Sequence, residues 1–208
     1  MFDPRDEGRP LDAWLEEPAW SGLAGADRPP LPPPPGAAGF LAYACPGVNG
    51  GKVLGLHPSV VDAAAKVWDL VVCEADGARR LPLKAPAERE PVIPASSPIV
   101  VALMGSDAIG RPLSEAQVCR AERLADICGG PLGRAIEAAD LLALAIHPEG
   151  AFKGCPPSAR RFLILNKVEL IEAKAARTLA ASIRRADPGL RVALASLALS
   201  DSIDELGP

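Results

Sequence analysis

"RRFLILNKVELIEAKAARTLAASIRRADPGLRVALASL" runs from Arg160 to Leu197. Arg160–Lys167 carries a continuous apolar run, Phe162 to Leu165, as strands buried on both faces do. The segment from Glu169 repeats apolar residues at helical spacing and is closed by Asp187-Pro188-Gly189, which cannot continue a helix. Leu190–Leu197 is again apolar and strand-like. Strand, helix and strand at this spacing predict a parallel pair joined by a crossover.

The same alternation extends upstream. "PIVVALMG" (Pro98–Gly105) and "DLVVCEAD" (Asp69–Asp76) read as further strands buried on both faces, and "KVLGL" (Lys52–Leu56) as a short one. Helices are predicted from Ser59 as cap, from Ser114 as cap to Gly129 as stop, and within Gly133–Ile146. The predicted fold is α/β, with a three-layer, mostly parallel sheet over residues 51–208. Residues 1–50 are expected to be an irregular, proline-rich segment. "DRPPLPPPPGAAG" places six prolines between Pro29 and Pro35, which favours a polyproline II connector, with an SH3-type ligand as the alternative.

Composition narrows the functional classes. The 208 residues are 49% apolar with a formal charge of −4 and no long basic run, which argues against a nucleic-acid partner. Five widely spaced cysteines without a CxxC pair imply reduced thiols, and the two histidines have no zinc-ligand spacing. The charged opening "MFDPRDEGRP" does not resemble a signal peptide, and no apolar run approaches a membrane span. A soluble cytoplasmic protein without a membrane partner is the expectation.

In parallel α/β sheets ligands gather outside the carboxyl ends of the strands. Glu74, Asp76 and Gly77 fall at one such predicted end. Two carboxylates on one strand face, followed by a glycine turn, suit a magnesium ion, whereas a helix cap or a solvated strand end would explain them equally. Asn166, Lys167 and Glu169 fall at another. They resemble the base-reading NKxD motif of GTPase-like proteins, in which Asn supports the base, the Lys stem covers the ring and the acid meets guanine. Glu in place of Asp moves the carboxylate by about 1.5 Å, so ATP and GTP stay open. An acidic first helical turn after a strand is the structural alternative. No G-x-x-x-x-G-K-[ST] occurs, and Gly50-Gly51-Lys52 is followed by Val53 rather than a hydroxyl.

The blocks "EADGARRLPLKAPAEREPVIP", "GSDAIGRPLSEAQVCRAE" and "HPEGAFKGCPPSARRFLILNKVEL", with their spacing, resemble the selenium-dependent molybdenum hydroxylase accessory family known as YqeC, over about residues 50–200. The resemblance implies a P-loop-type fold that binds Mg2+ and a nucleoside triphosphate, ATP or GTP. It also implies a role in maturing a selenium- or molybdenum-dependent hydroxylase. Glu74, Asp76 and Gly77 match the family's acidic strand end. Lys84, Glu88, Glu90 and Pro91 match its charged loop, and Gly105, Asp107 and Gly110 its next turn. Cys119-Arg120 stands where members usually carry His-Arg. Lys84 and Arg120 are the candidates to offer positive charge to a phosphate or oxyanion. Members usually begin with a strand and a "GGKT" phosphate loop that these 208 residues lack. The expectation is either a start placed too far downstream or a degenerate member, with weak nucleotide binding and NTPase activity expected only of the intact family. The alternatives are a non-catalytic module that docks on the hydroxylase through residues 78–98, and a transferase acting on a nucleotide-containing molybdenum cofactor.

Overall fold

A computed structural model of the chain describes residues 45–46, 53–54, 57–66, 70–199 and 203–205. It divides into two units, Met1–Gly77 with Pro94–Ser96, and Ala78–Ile93 with Ser97–Pro208.

In the first unit, β1 (Cys45–Pro46) pairs antiparallel with β2 (Val53–Leu54). Helix α1 (Pro58–Ala64) follows. Its cap is His57 rather than the expected Ser59: Pro58 fits the first helical position, so the His57 ring nitrogen accepts the Ser59 N–H at 3.3 Å. The predicted strand Asp69–Asp76 is corrected as well, because residues 70–78 form no strand. Leu70 is 77% and Val72 85% exposed. The apolar run had the composition for burial, but no neighbouring strand takes up its backbone among the described residues.

The second unit is built on a mixed sheet. β4 (Ile99–Gly105), β6 (Arg160–Asn166) and β7 (Leu190–Ala195) are parallel, in the order β4-β6-β7, and β8 (Ile203–Glu205) closes the edge antiparallel to β7. A second two-stranded sheet pairs β3 (Leu83–Lys84) in parallel with β5 (Val118–Cys119). The helices are α2 (Ala121–Cys128), α3 (Ala138–Ile146) and α4 (Ala173–Ala186). The α/β fold with a mostly parallel sheet is therefore the observed one. None of the helices among the described residues is long and apolar enough to cross a membrane.

The core forms where these helices meet one face of the sheet. Leu163 and Leu165 from β6, Met104 from β4, and Val192 and Leu194 from β7 pack with Leu124, Leu141, Leu144, Leu179 and Ile183. The opposite face is less covered. Ile99, Val101 and Leu103 of β4 are 44%, 48% and 57% exposed, so this strand is not buried on both faces as its composition suggested.

Between Ser114 and Gly129 the predicted helix is shorter than expected. Ser114 C=O accepts the Gln117 and Val118 N–H groups in a turn, and Val118–Cys119 then pairs with β3. Arg120 follows in the left-handed region (φ 67°), so α2 begins only at Ala121. Cys119 thus lies on a strand, 2% exposed, and not on a helix face. Gly129 does end the helix, at φ 74°. Between α2 and α3, the Arg134 guanidinium donates to both Asp140 carboxylate oxygens, at 2.7 and 2.8 Å. Burial and the Asp140 carboxylate push the neighbouring Cys128 thiol up to about 12, which makes it an inert packing group.

The asymmetry of the sheet has a measurable consequence. Leu163→Ala, on the covered face, is expected to cost about 2–5 kcal/mol in urea unfolding. Leu103→Ala, on the open face, is expected to cost less than half as much.

Candidate functional site

The register of the parallel strands lines up their ends. Gly105 stands opposite Asn166, and Asn166 opposite Ala195. The three segments that follow, Ser106–Ala108, Lys167–Leu170 and Ser196–Leu197, therefore leave the sheet at one level. This is the carboxyl edge, where parallel α/β sheets hold ligands.

Three side-chain contacts tie these segments together. The Asn166 carboxamide oxygen accepts the Lys167 N–H at 2.8 Å and the Leu197 N–H at 3.0 Å, joining the turn after β6 to the turn after β7. The Glu169 carboxylate accepts the hydroxyl of Ser196. Lys167, held in the left-handed region at φ 59°, reaches the Asp107 carboxylate with its ammonium at 2.8 Å. Its side chain remains 40% exposed. Sequence spacing paired Asn166, Lys167 and Glu169, but Asp107 and Ser196 join them only through the register of the sheet. The buried Ser106 hydroxyl and Asp107 Oδ1 have no hydrogen-bond partner. Gly105 has no room for a Cβ there, since one would stand 2.5 Å from Asp107 Oδ1 and 3.0 Å from Pro82.

A second polar cluster gathers on the β3–β5 pair. Its register sets Lys84 opposite Cys119, one residue before Arg120. The loop after β3 returns at Glu90, which binds Lys84 at 3.0 Å and Arg120 at 2.8 Å. Glu115 accepts the N–H groups of Arg120 at 3.4 Å and Ala121 at 2.7 Å, and so holds the entry to α2. Lys153 donates to the Ala87 carbonyl at 3.2 Å and pairs with Glu149 at 2.5 Å. Lys84 and Arg120 are thus brought together on Glu90. Cys119 Sγ lies 3.9 Å from the Arg120 guanidinium, and Glu88 is exposed on the same loop.

Glu74, Asp76 and Gly77 belong to the first unit and lie outside any regular strand. The common strand face that would have aligned the two carboxylates is absent. Among the described residues no group of three or more His, Cys, Asp or Glu is placed to hold a metal ion.

Glu90 also sets a pH dependence. Burial pushes its carboxyl up, but hydrogen bonds from Lys84 and Arg120 outweigh that and hold it below the ordinary value. Its folded pKa is depressed, so its contribution to stability is present above the unfolded value, about 4.3, and is lost as pH falls through the folded one. Glu90→Gln is expected to lower the melting temperature at pH 7. It is also expected to reduce the further loss on acidification below about pH 4, both read by melting curves across pH. Equal acid sensitivity in the two proteins would contradict the assignment.

Residues 35–122 match the YqeC protein family. Over 126 residues the chain is 42% identical to "Uncharacterized protein YqeC" of Escherichia coli (strain K12), covering 60% of this chain and 49% of that relative. The chain therefore spans about half the length of the curated relative it matches. No solved structure matches it.

Proposed function

We propose that the chain, similar to the YqeC family over residues 35–122, binds a nucleotide at the carboxyl edge of its parallel sheet and serves the maturation of a selenium- or molybdenum-dependent hydroxylase. One observation carries the nucleotide reading. Asn166 fastens the turn after β6 to the turn after β7 and leaves Lys167 beside them, left-handed and partly exposed. A flat base fits such an arrangement, with the four-carbon Lys167 stem against its face. The polar groups of the turns around Glu169 and Ser196 then meet its edge. Glu169 spends one hydrogen bond on Ser196, so it is a poorer partner for guanine than a carboxylate free to turn toward the base. Magnesium belongs to this proposal only as the counter-ion that a bound triphosphate brings.

The hydroxylase role rests on the family resemblance. The docking alternative has an observation of its own: Arg79, Arg80, Glu88, Arg89 and Val92 are all exposed on the segment between β3 and its flanks. Co-purification with a hydroxylase that survives loss of nucleotide binding would favour docking.

Calorimetry with ATP and GTP tests the site. Micromolar or weaker affinity is expected, since the 208 residues contain no glycine-rich phosphate loop. Asn166→Ala is expected to weaken binding at least about tenfold, the scale of one to two lost hydrogen bonds. Unchanged affinity would remove the base-binding assignment. Base choice gives an independent check, since sites that hydrogen-bond their ligand discriminate strongly. Glu169→Asp shortens the acid by one methylene and is expected to raise the GTP/ATP preference in competition binding. An unchanged ratio would exclude Glu169 from base contact.

A further inference from the structure

Four residues other than glycine have positive φ among the described residues, and all four are basic: Arg79 (54°), Arg80 (62°), Arg120 (67°) and Lys167 (59°). Left-handed backbone is unfavourable for any residue with a Cβ, and such strain persists where the surroundings or a function retain it. Arg79 and Arg80 are adjacent. They are the two central residues of a turn closed by Leu81 N–H to Ala78 C=O at 2.9 Å. Positive φ at both centres is the type I′ arrangement, for which Asn and Gly are the favoured residues. Two arginines are among the poorer choices for that backbone, and both are exposed.

The turn has a defined address. It ends at Leu81, next to Pro82, whose C=O accepts the Gly105 N–H at 2.8 Å. A Cβ on Gly105 would meet both Pro82 and Asp107, and Asp107 binds Lys167. The arginine turn is thereby fixed to the end of β4, at the edge that carries Asn166 and Lys167. A guanidinium forks onto phosphate oxygens with two parallel hydrogen bonds.

We propose that the Arg79–Arg80 turn binds the phosphate groups of a small ligand standing at the carboxyl edge of the sheet. The proposal rests on the nucleotide reading for which end of the ligand these are, but not for the affinity toward phosphate itself. It gives the second unit a phosphate contact made by side chains rather than by a nest of backbone N–H groups.

Inorganic pyrophosphate, ATP and GTP are the probes, titrated by calorimetry into the full chain and into the Arg79→Asn/Arg80→Gly double variant. Because the variant suits the turn better, its melting temperature is expected to rise by about 2–4 °C. Pyrophosphate binding is expected to fall at least about tenfold in the same protein and to weaken with added salt in the wild type. Greater stability with lost binding is an outcome that a merely structural turn does not give. Pyrophosphate binding that the double variant loses supports the proposal even if neither nucleotide binds. Absence of pyrophosphate binding in the wild type, or equal binding in the variant, overturns it even if nucleotides bind.

Discussion

The in-register parallel pairing of β4, β6 and β7 is the constraint on which the remainder of the second unit depends. Seven residues of β4 match seven of β6, from Ile99 with Arg160 to Gly105 with Asn166. Alignment of the strand ends follows from that register without further design. A slip of one residue would turn Leu163 and Leu165, both fully buried, toward the less covered face. The same slip would part Asp107 from Lys167 and Asn166 from Leu197. Core burial and the geometry of the candidate site are thus two results of one register.

The polar contacts at the edge are local and short, and they rest on apolar packing beneath. Asn166 stabilises two turns with one oxygen, which is an economical way to hold loops that cannot share a ladder. Farther along, Glu90 holds Lys84 and Arg120 in one cluster, and Glu115 secures the backbone where Arg120 departs from helical geometry. These groups keep cationic side chains in fixed places near the surface. Fixed cations lose less freedom on meeting an anion than mobile ones do. That property suits the binding of an anion.

How much of this was legible in the sequence depended on whether the cause was local. β6, α4 and β7 were read within a few residues because apolar runs, helical spacing and Asp187-Pro188-Gly189 all act nearby. Asn166, Lys167 and Glu169 were recognisable because their spacing is contiguous. Ser196 and Asp107 could be joined to them only through strand register, which no local pattern encodes. Val118–Cys119 was misread as helix because its partner, Leu83–Lys84, lies 35 residues upstream. Leu70–Val72 was misread as a buried strand for the opposite reason: composition reports a capacity for burial and says nothing of a neighbour. The left-handed Arg79, Arg80, Arg120 and Lys167 gave no signal at all, since none is a residue type that favours that backbone.

The central claim is that the carboxyl edge of β4, β6 and β7 receives a nucleotide. Amide chemical shifts of the isotopically labelled protein, followed by NMR during titration with ATP or GTP, test it most directly. Saturable shifts concentrated at the amides of Lys167 and Leu197, with Leu124 in α2 unmoved, are the expected result. Shifts absent at millimolar nucleotide, or confined to residues remote from that edge, would contradict it.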